Sequence, residues 1–212
     1  MNEAISDNNE PLAQRNTRAN LAKFLSEMIE QPERRVEISE SIDEVFGQDK
    51  ALVVLDMSGF TRTTQRHGIV SFLLMIHQMK LLAMPCIAAQ GGLLIKAEAD
   101  NLLCLFDTVP VAVRASLDIV SRLETVNPLL PEDRRLYASI GIGYGRILNI
   151  EDKDLFGDEV NLVSKIGEDL AGKGEVLLST AAHAQLGEMP LNVREEVVSI
   201  SGLSLTYYAV QA

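Results

Sequence analysis

Positive charge is scarce in this chain: 19 lysines and arginines stand against 30 aspartates and glutamates, a formal net charge of -11 over 212 residues. A phosphate backbone would meet repulsion instead of releasing counterions, which argues against nucleic acid as a partner. Any phosphorylated ligand would need metal ions or a local basic patch. Cysteine is nearly absent. Cys86 and Cys104 lie in apolar surroundings without metal-ligand spacing, and read as buried reduced thiols instead of a disulfide or a nucleophile. His67, His77 and His183 show no ligand spacing either. Long clean apolar runs are missing too: the stretch near residues 69–95 is interrupted by His77, Lys80, Pro85 and Gln90, so no membrane span is expected. The opening MNEAISDNNE has neither the basic start nor the apolar run of a signal peptide, and the expected location is cytoplasmic. There is no internal repeat and no low-complexity linker.

What remains has the balance of a globular protein, with 47% hydrophobic and 23% charged residues. The length suits one domain plus an appendage. Residues 1–16 are polar and expected to be disordered. Residues 17–48 form a helical extension: Thr17 is a plausible cap, and Leu21, Phe24, Leu25, Met28 and Ile29 repeat at helical spacing until Gln31-Pro32. Ile38, Ile42, Val45 and Phe46 then mark a second helix. These stripes need cover from the main domain or from a second chain.

Residues 49–212 form the main domain. ALVVLD at 51–56 reads as a buried central strand, followed by a long helix over Ile69 to Met79 that Pro85 kinks or limits. Gly91-Gly92 breaks it, and GGLLIKAEADNLLCLF at 91–106 forms a hairpin. A helix over Val109 to about Val126 follows, then a long strand over 136–150 whose three glycines imply close backbone approaches. A helix from Asp158 to about Ala171, a strand, a short helix and a final pair of strands complete the chain. The order βαββαβ, with extra C-terminal strands, predicts an α+β fold with a ferredoxin-like core.

In such a sheet the first strand adjoins the hairpin, so Asp56 and Asp100 can converge. Paired hard oxygens suit magnesium, which keeps waters and substrate phosphates in its shell. Asn161 and Lys165, four apart, share a helix face. An amide one turn from a cation can hold a ribose or a phosphate, and Asp154 precedes them in a loop made flexible by Gly157.

Four blocks, LDMSGFT, GGLLIKAEADNLLCLF, SIGIGYG and DLFGDEVNLVSKIGEDLA, in this order and at these separations, resemble the catalytic domain of class III nucleotidyl cyclases over about residues 50–210. The resemblance implies a head-to-tail homodimer with two interfacial sites. Asp56 and Asp100 would hold two Mg²⁺ or Mn²⁺ ions per site from one subunit. Lys96 and Asp154, matching the adenine-recognising pair, would come from the other subunit with Asn161, which orients the ribose, and Lys165, at the position of a transition-state arginine. The implied activity is that of an adenylate cyclase, converting ATP to cyclic AMP and pyrophosphate.

Three positions depart from the family pattern. Lys165 replaces arginine and loses its planar fork. Ala99 stands where a glycine usually precedes the second aspartate, and Ser201 stands where many members have a lysine for the triphosphate. The alternative expectation is therefore a cyclase-like dimerisation or nucleotide-sensing module with weak or lost turnover.

Overall fold

The structure is a computed structural model that describes residues 12–58, 60–200 and 203–211. Its N-terminal extension comprises α1 (Leu12–Arg15), α2 (Arg18–Glu30) and α3 (Arg35–Phe46). Thr17 is the cap of α2, its hydroxyl accepting the Asn20 amide at 3.1 Å. Disorder was expected through residue 16. Instead Leu12–Arg15 form a helical turn and Asn16 is hydrogen-bonded to the main domain; residues 1–11 lie outside the described residues. Ile38, Ile42, Val45 and Phe46 of α3 are buried with Ile150, and Leu21, Phe24 and Met28 of α2 pack against them. The α3 stripe is thus covered within its own chain, whereas Leu25 and Ile29 of the expected α2 stripe remain exposed.

The main domain begins with β1 (Gly47–Met57) and α4 (Phe60–Ala89), followed by the hairpin β2 (Leu93–Glu98) and β3 (Asn101–Phe106). Helix α5 (Val109–Val126) leads to β4 (Ala138–Ile150), β5 (Asp154–Phe156) and α6 (Asp158–Lys165). The chain ends with β6 (Val176–Ser179), α7 (Thr180–Ala184), β7 (Val193–Ile200) and β8 (Leu203–Val210). Strands are ordered β2-β3-β1-β4-β6-β8-β7, with β5 attached to β4. β1 lies antiparallel between β3 and β4, so β1-α4-β2 is split by β3. This is the expected ferredoxin-like α+β core, extended by the C-terminal strands.

Alternation along β1 divides the interior into two layers. Val53 and Leu55 face Met79 and Ile87 of α4 and Val113 and Ile119 of α5, whereas Leu52 and Val54 face the opposite side with Ile147, Leu155 and Val163. Each fully buried aliphatic side chain contributes about 1.5–3 kcal/mol. Asp56, next in the even series, belongs to the face covered by α6 and β5. Cys86 and Cys104 are free, buried thiols, and burial pushes Cys104 up to about 12, which keeps it unreactive.

Helix α4 is broken at Gly68, whose φ of 76° is left-handed, just before the expected start at Ile69, and Pro85 lies inside it, one of the two expected outcomes. Its Gly68–Ala89 part is also long and apolar enough, by length and composition, to cross a membrane, with a mean hydropathy of 1.6. The intervening His77, Lys80 and Pro85 do not prevent this. Within the fold, Met75, Ile76, Met79, Ala83, Cys86 and Ile87 pack into the core, while Ile69, Val70, Leu73, Leu74 and Leu81 remain exposed.

Candidate active site

Strand pairing places the two metal-site candidates. The β1–β3 register runs to Leu55↔Leu102, so Asp56 and Asp100 emerge at the same end of adjacent strands. Burial, then the Asp100 charge, then the Glu168 charge, push the Asp56 carboxyl from its ordinary 3.8 up to about 6, against a stabilising hydrogen bond from the Met57 amide. Glu168 is shifted upward as well, by burial, Asp169 and Asp100. Mutually repelling carboxylates, partly withdrawn from water, are what a divalent cation neutralises, and their hard oxygens fit magnesium or manganese. Among the described residues no group of three or more His, Cys, Asp or Glu side chains could hold a metal by itself. Asp56 and Asp100 therefore suit an ion that takes its remaining ligands from water and phosphate.

The turn that presents Asp100 carries a visible departure. Ala99 has φ 46°, in the left-handed region that favours glycine. The hairpin does accept the Cβ. Ser201, the third departure, lies outside the described residues.

Lys96 reaches its place through a bulge. The β2–β3 register shifts between Leu94 and Lys96, leaving Ile95 as the extra residue and re-aiming the following side chain. The Lys96 ammonium then lies 2.8 Å from Glu98 and 3.5 Å from Asp154. The hydrogen bond and charge of Glu98, followed by those of Asp154, push its pKa up, so it remains a cation. Asp154 was expected in a loop; it is instead the first residue of β5, aligned antiparallel with Ile150. Its second oxygen pairs with Arg18 of α2. Lys96 and Asp154 thus form a donor beside an acceptor.

Glycines set the position of α6. A Cβ on Gly141 would lie 2.6 Å from the Val163 carbonyl oxygen and 2.7 Å from the Gly167 amide, and one on Gly143 would run into the Val163 side chain. Strand and helix backbone therefore approach at a distance no side chain permits. The regular helix is also shorter than expected: α6 stops at Lys165 and a π turn covers Ile166–Leu170, in place of the expected helix to about Ala171. Asn161 and Lys165 are both exposed on α6. Lys165 pairs with Asp169 one turn on, so the cation expected to meet phosphate has an internal partner.

Three charged contributors were not singled out from sequence. Glu168 had a legible signal, seven residues beyond Asn161 and so on nearly the same helical face. Glu98, exposed on the hairpin, is the nearer carboxylate to Lys96. Arg18 had no local signal, because only the fold brings it to Asp154.

A Rhizobium meliloti protein named adenylate cyclase 3, an assignment its name marks as provisional, is 31% identical over 133 residues, covering 63% of this chain and 22% of that protein. A Streptomyces coelicolor adenylate cyclase is 28% identical over 144 residues, covering 68% of this chain and 36% of that protein. The crystal structure of an adenylate/guanylate cyclase/hydrolase from Silicibacter pomeroyi superposes with a TM-score of 0.66 at 23% identity, covering 77% of this chain and 96% of the other. The chain is homologous in sequence and structure to class III adenylate and guanylate cyclase catalytic domains. No protein-family model matches it. The chain spans about a fifth to a third of the curated cyclases it matches, whereas it covers 96% of the Silicibacter pomeroyi structure. The solved structures that share the fold include guanylate cyclases as well as adenylate cyclases, at 17–20% identity.

Proposed function

We propose that this domain is an adenylate cyclase, which converts ATP to cyclic AMP and pyrophosphate at the interface of a homodimer. The observation that carries the reading is the Lys96–Asp154 pair, a donor 3.5 Å from an acceptor. Lys96 donates to the adenine ring nitrogen, and Asp154 accepts from the exocyclic amine. Guanine presents an acceptor where adenine has that amine. Asn161 orients the ribose so that its 3′-hydroxyl meets the α-phosphate, and Lys165 offsets charge on the phosphate as pyrophosphate departs. Asp56 and Asp100 hold the divalent ions, which would lower the hydroxyl pKa and steady the triphosphate when bound. No protein nucleophile is needed. The exposed apolar face of α4, with Val70 and Leu73, supplies a surface for a second copy to cover.

A second reading, a cyclase-like nucleotide-sensing module with little or no turnover, draws support from the pairing of Lys165 with Asp169. Incubation of the purified chain with Mn²⁺ and each of the four nucleoside triphosphates, followed by product separation, distinguishes the two. Cyclic AMP formation abolished by Asp56→Ala supports the enzyme; nucleotide binding without cyclic product supports the module. Lys96→Glu combined with Asp154→Cys is expected to shift use from ATP toward GTP. An unchanged ratio refutes the base-recognition roles.

A further inference from the structure

We infer that Arg18, in the N-terminal extension, is a positioning residue for base recognition. The inference rests on the reading of Asp154 as the acceptor for the adenine amine. The extension grips the turn between β4 and β5 at several points. The Asn16 side chain donates to the Asn149 carbonyl and accepts from the Glu151 amide, each at 3.0 Å, while the Arg18 amide donates to Glu151 Oε1 at 3.0 Å. The turn needs such bracing, since Glu151 and Asp152 have φ of 56° and 53°, in the region where non-glycine residues are disfavoured.

Arg18 itself is the first residue of α2, and the Thr17 cap fixes its backbone. Its guanidinium takes Asp154 Oδ2 while Lys96 stands 3.5 Å from Oδ1. A carboxylate with its two oxygens directed at different cations has one preferred plane. It also retains acceptor capacity, because an ionised carboxylate offers about four lone-pair sites. Arg18 thereby aims the acceptor without consuming it. The Arg18 side chain is 60% exposed, so the pair adds little to stability and its value lies in geometry. Base selection is consequently tied to the position of the helical extension.

The test is carried out on the full chain with Mn²⁺, measuring cyclic product from ATP and from GTP. Arg18→Ala is expected to raise KM for ATP about tenfold and to lower the preference for ATP over GTP, with kcat little changed, as expected for a slightly misplaced contact. Arg18→Lys restores part of the effect, and adding Arg18→Ala to Asp154→Ala has no further effect on the preference. An unaltered melting temperature separates these results from misfolding. If Arg18→Ala destabilises the chain, Arg18→Lys and Asn16→Ala measured below their melting temperatures carry the same test. An unchanged KM and preference, or a lower KM because Arg18 competes with the base, overturns the inference. If the unaltered chain yields no cyclic product, the catalytic reading fails, and equilibrium binding of ATP and GTP becomes the readout. A preference for ATP that Arg18→Ala removes then supports the inference, and one that survives overturns it. A chain that binds neither nucleotide overturns both readings.

Discussion

Removing the charge of Asp56 should stabilise the metal-free protein even as it disables the metal site. Burial and the charges of Asp100 and Glu168 push this carboxyl from 3.8 up to about 6, so its ionised form is disfavoured in the folded state. At about 1.4 kcal/mol per tenfold change in proton affinity, the ceiling on that penalty at neutral pH is about 3 kcal/mol. Partial solvent access lowers the expected value to about 1–2 kcal/mol. Because the folded pKa is raised, the favourable protonated state is fully present below the unfolded pKa, and its stability is lost as pH rises through about 6. Asp56→Asn escapes this titration while its amide oxygen can still accept from Met57. Urea unfolding with EDTA should therefore show the variant more stable at pH 7.5, with the advantage shrinking steadily toward pH 4. Saturating Mn²⁺ should reverse the order, since only the unaltered chain gains from binding. A variant less stable than the parent at pH 7.5 in EDTA, or a difference indifferent to pH, refutes the electrostatic account.

Ala99→Gly should relieve the left-handed backbone at the hairpin tip, with φ 46°, and raise stability by up to about 1 kcal/mol after the entropy cost of glycine, read from the urea midpoint. Gly141→Ala should destabilise by about 2–3 kcal/mol or more, because its Cβ would meet the Val163 carbonyl and the Gly167 amide, and the same assay would register it. Lys165→Arg should raise kcat up to about tenfold by restoring a planar fork for phosphate oxygens, measured as cyclic product at saturating ATP.

Hydrophobic periodicity was sufficient for most of the fold. The stripe on α3 and the apolar run of β1 each matched the face the structure buries, because a helix or strand must cover its apolar side somewhere. The same pattern left open what would cover the N-terminal helices; the α3 stripe packs with Ile150, while Leu25 and Ile29 of α2 stay exposed. Strand β5 escaped notice because three residues carry too little alternation to register as a strand. The π turn after Lys165 was equally hidden: it lies where Gly167 meets the backbone of Val54 and Gly141, a contact that no local pattern reports.

At the candidate site, the sequence alone established a set of residue types and an order of elements. Asp56, Lys96, Asp100, Asp154, Asn161 and Lys165 entered as candidates through their blocks and the family resemblance, and the strand order predicted that Asp56 and Asp100 lie at one end of adjacent strands. Tertiary structure decided how those groups are held. The bulge at Ile95 turns Lys96 toward Asp154, Glu98 provides its nearer carboxylate, and Arg18 closes on the far oxygen of Asp154 from a helix remote in sequence. The division has a physical cause. Periodicity reports which side of an element faces the core, whereas the direction and charge of a polar group depend on register shifts and partners that only the assembled sheet brings together.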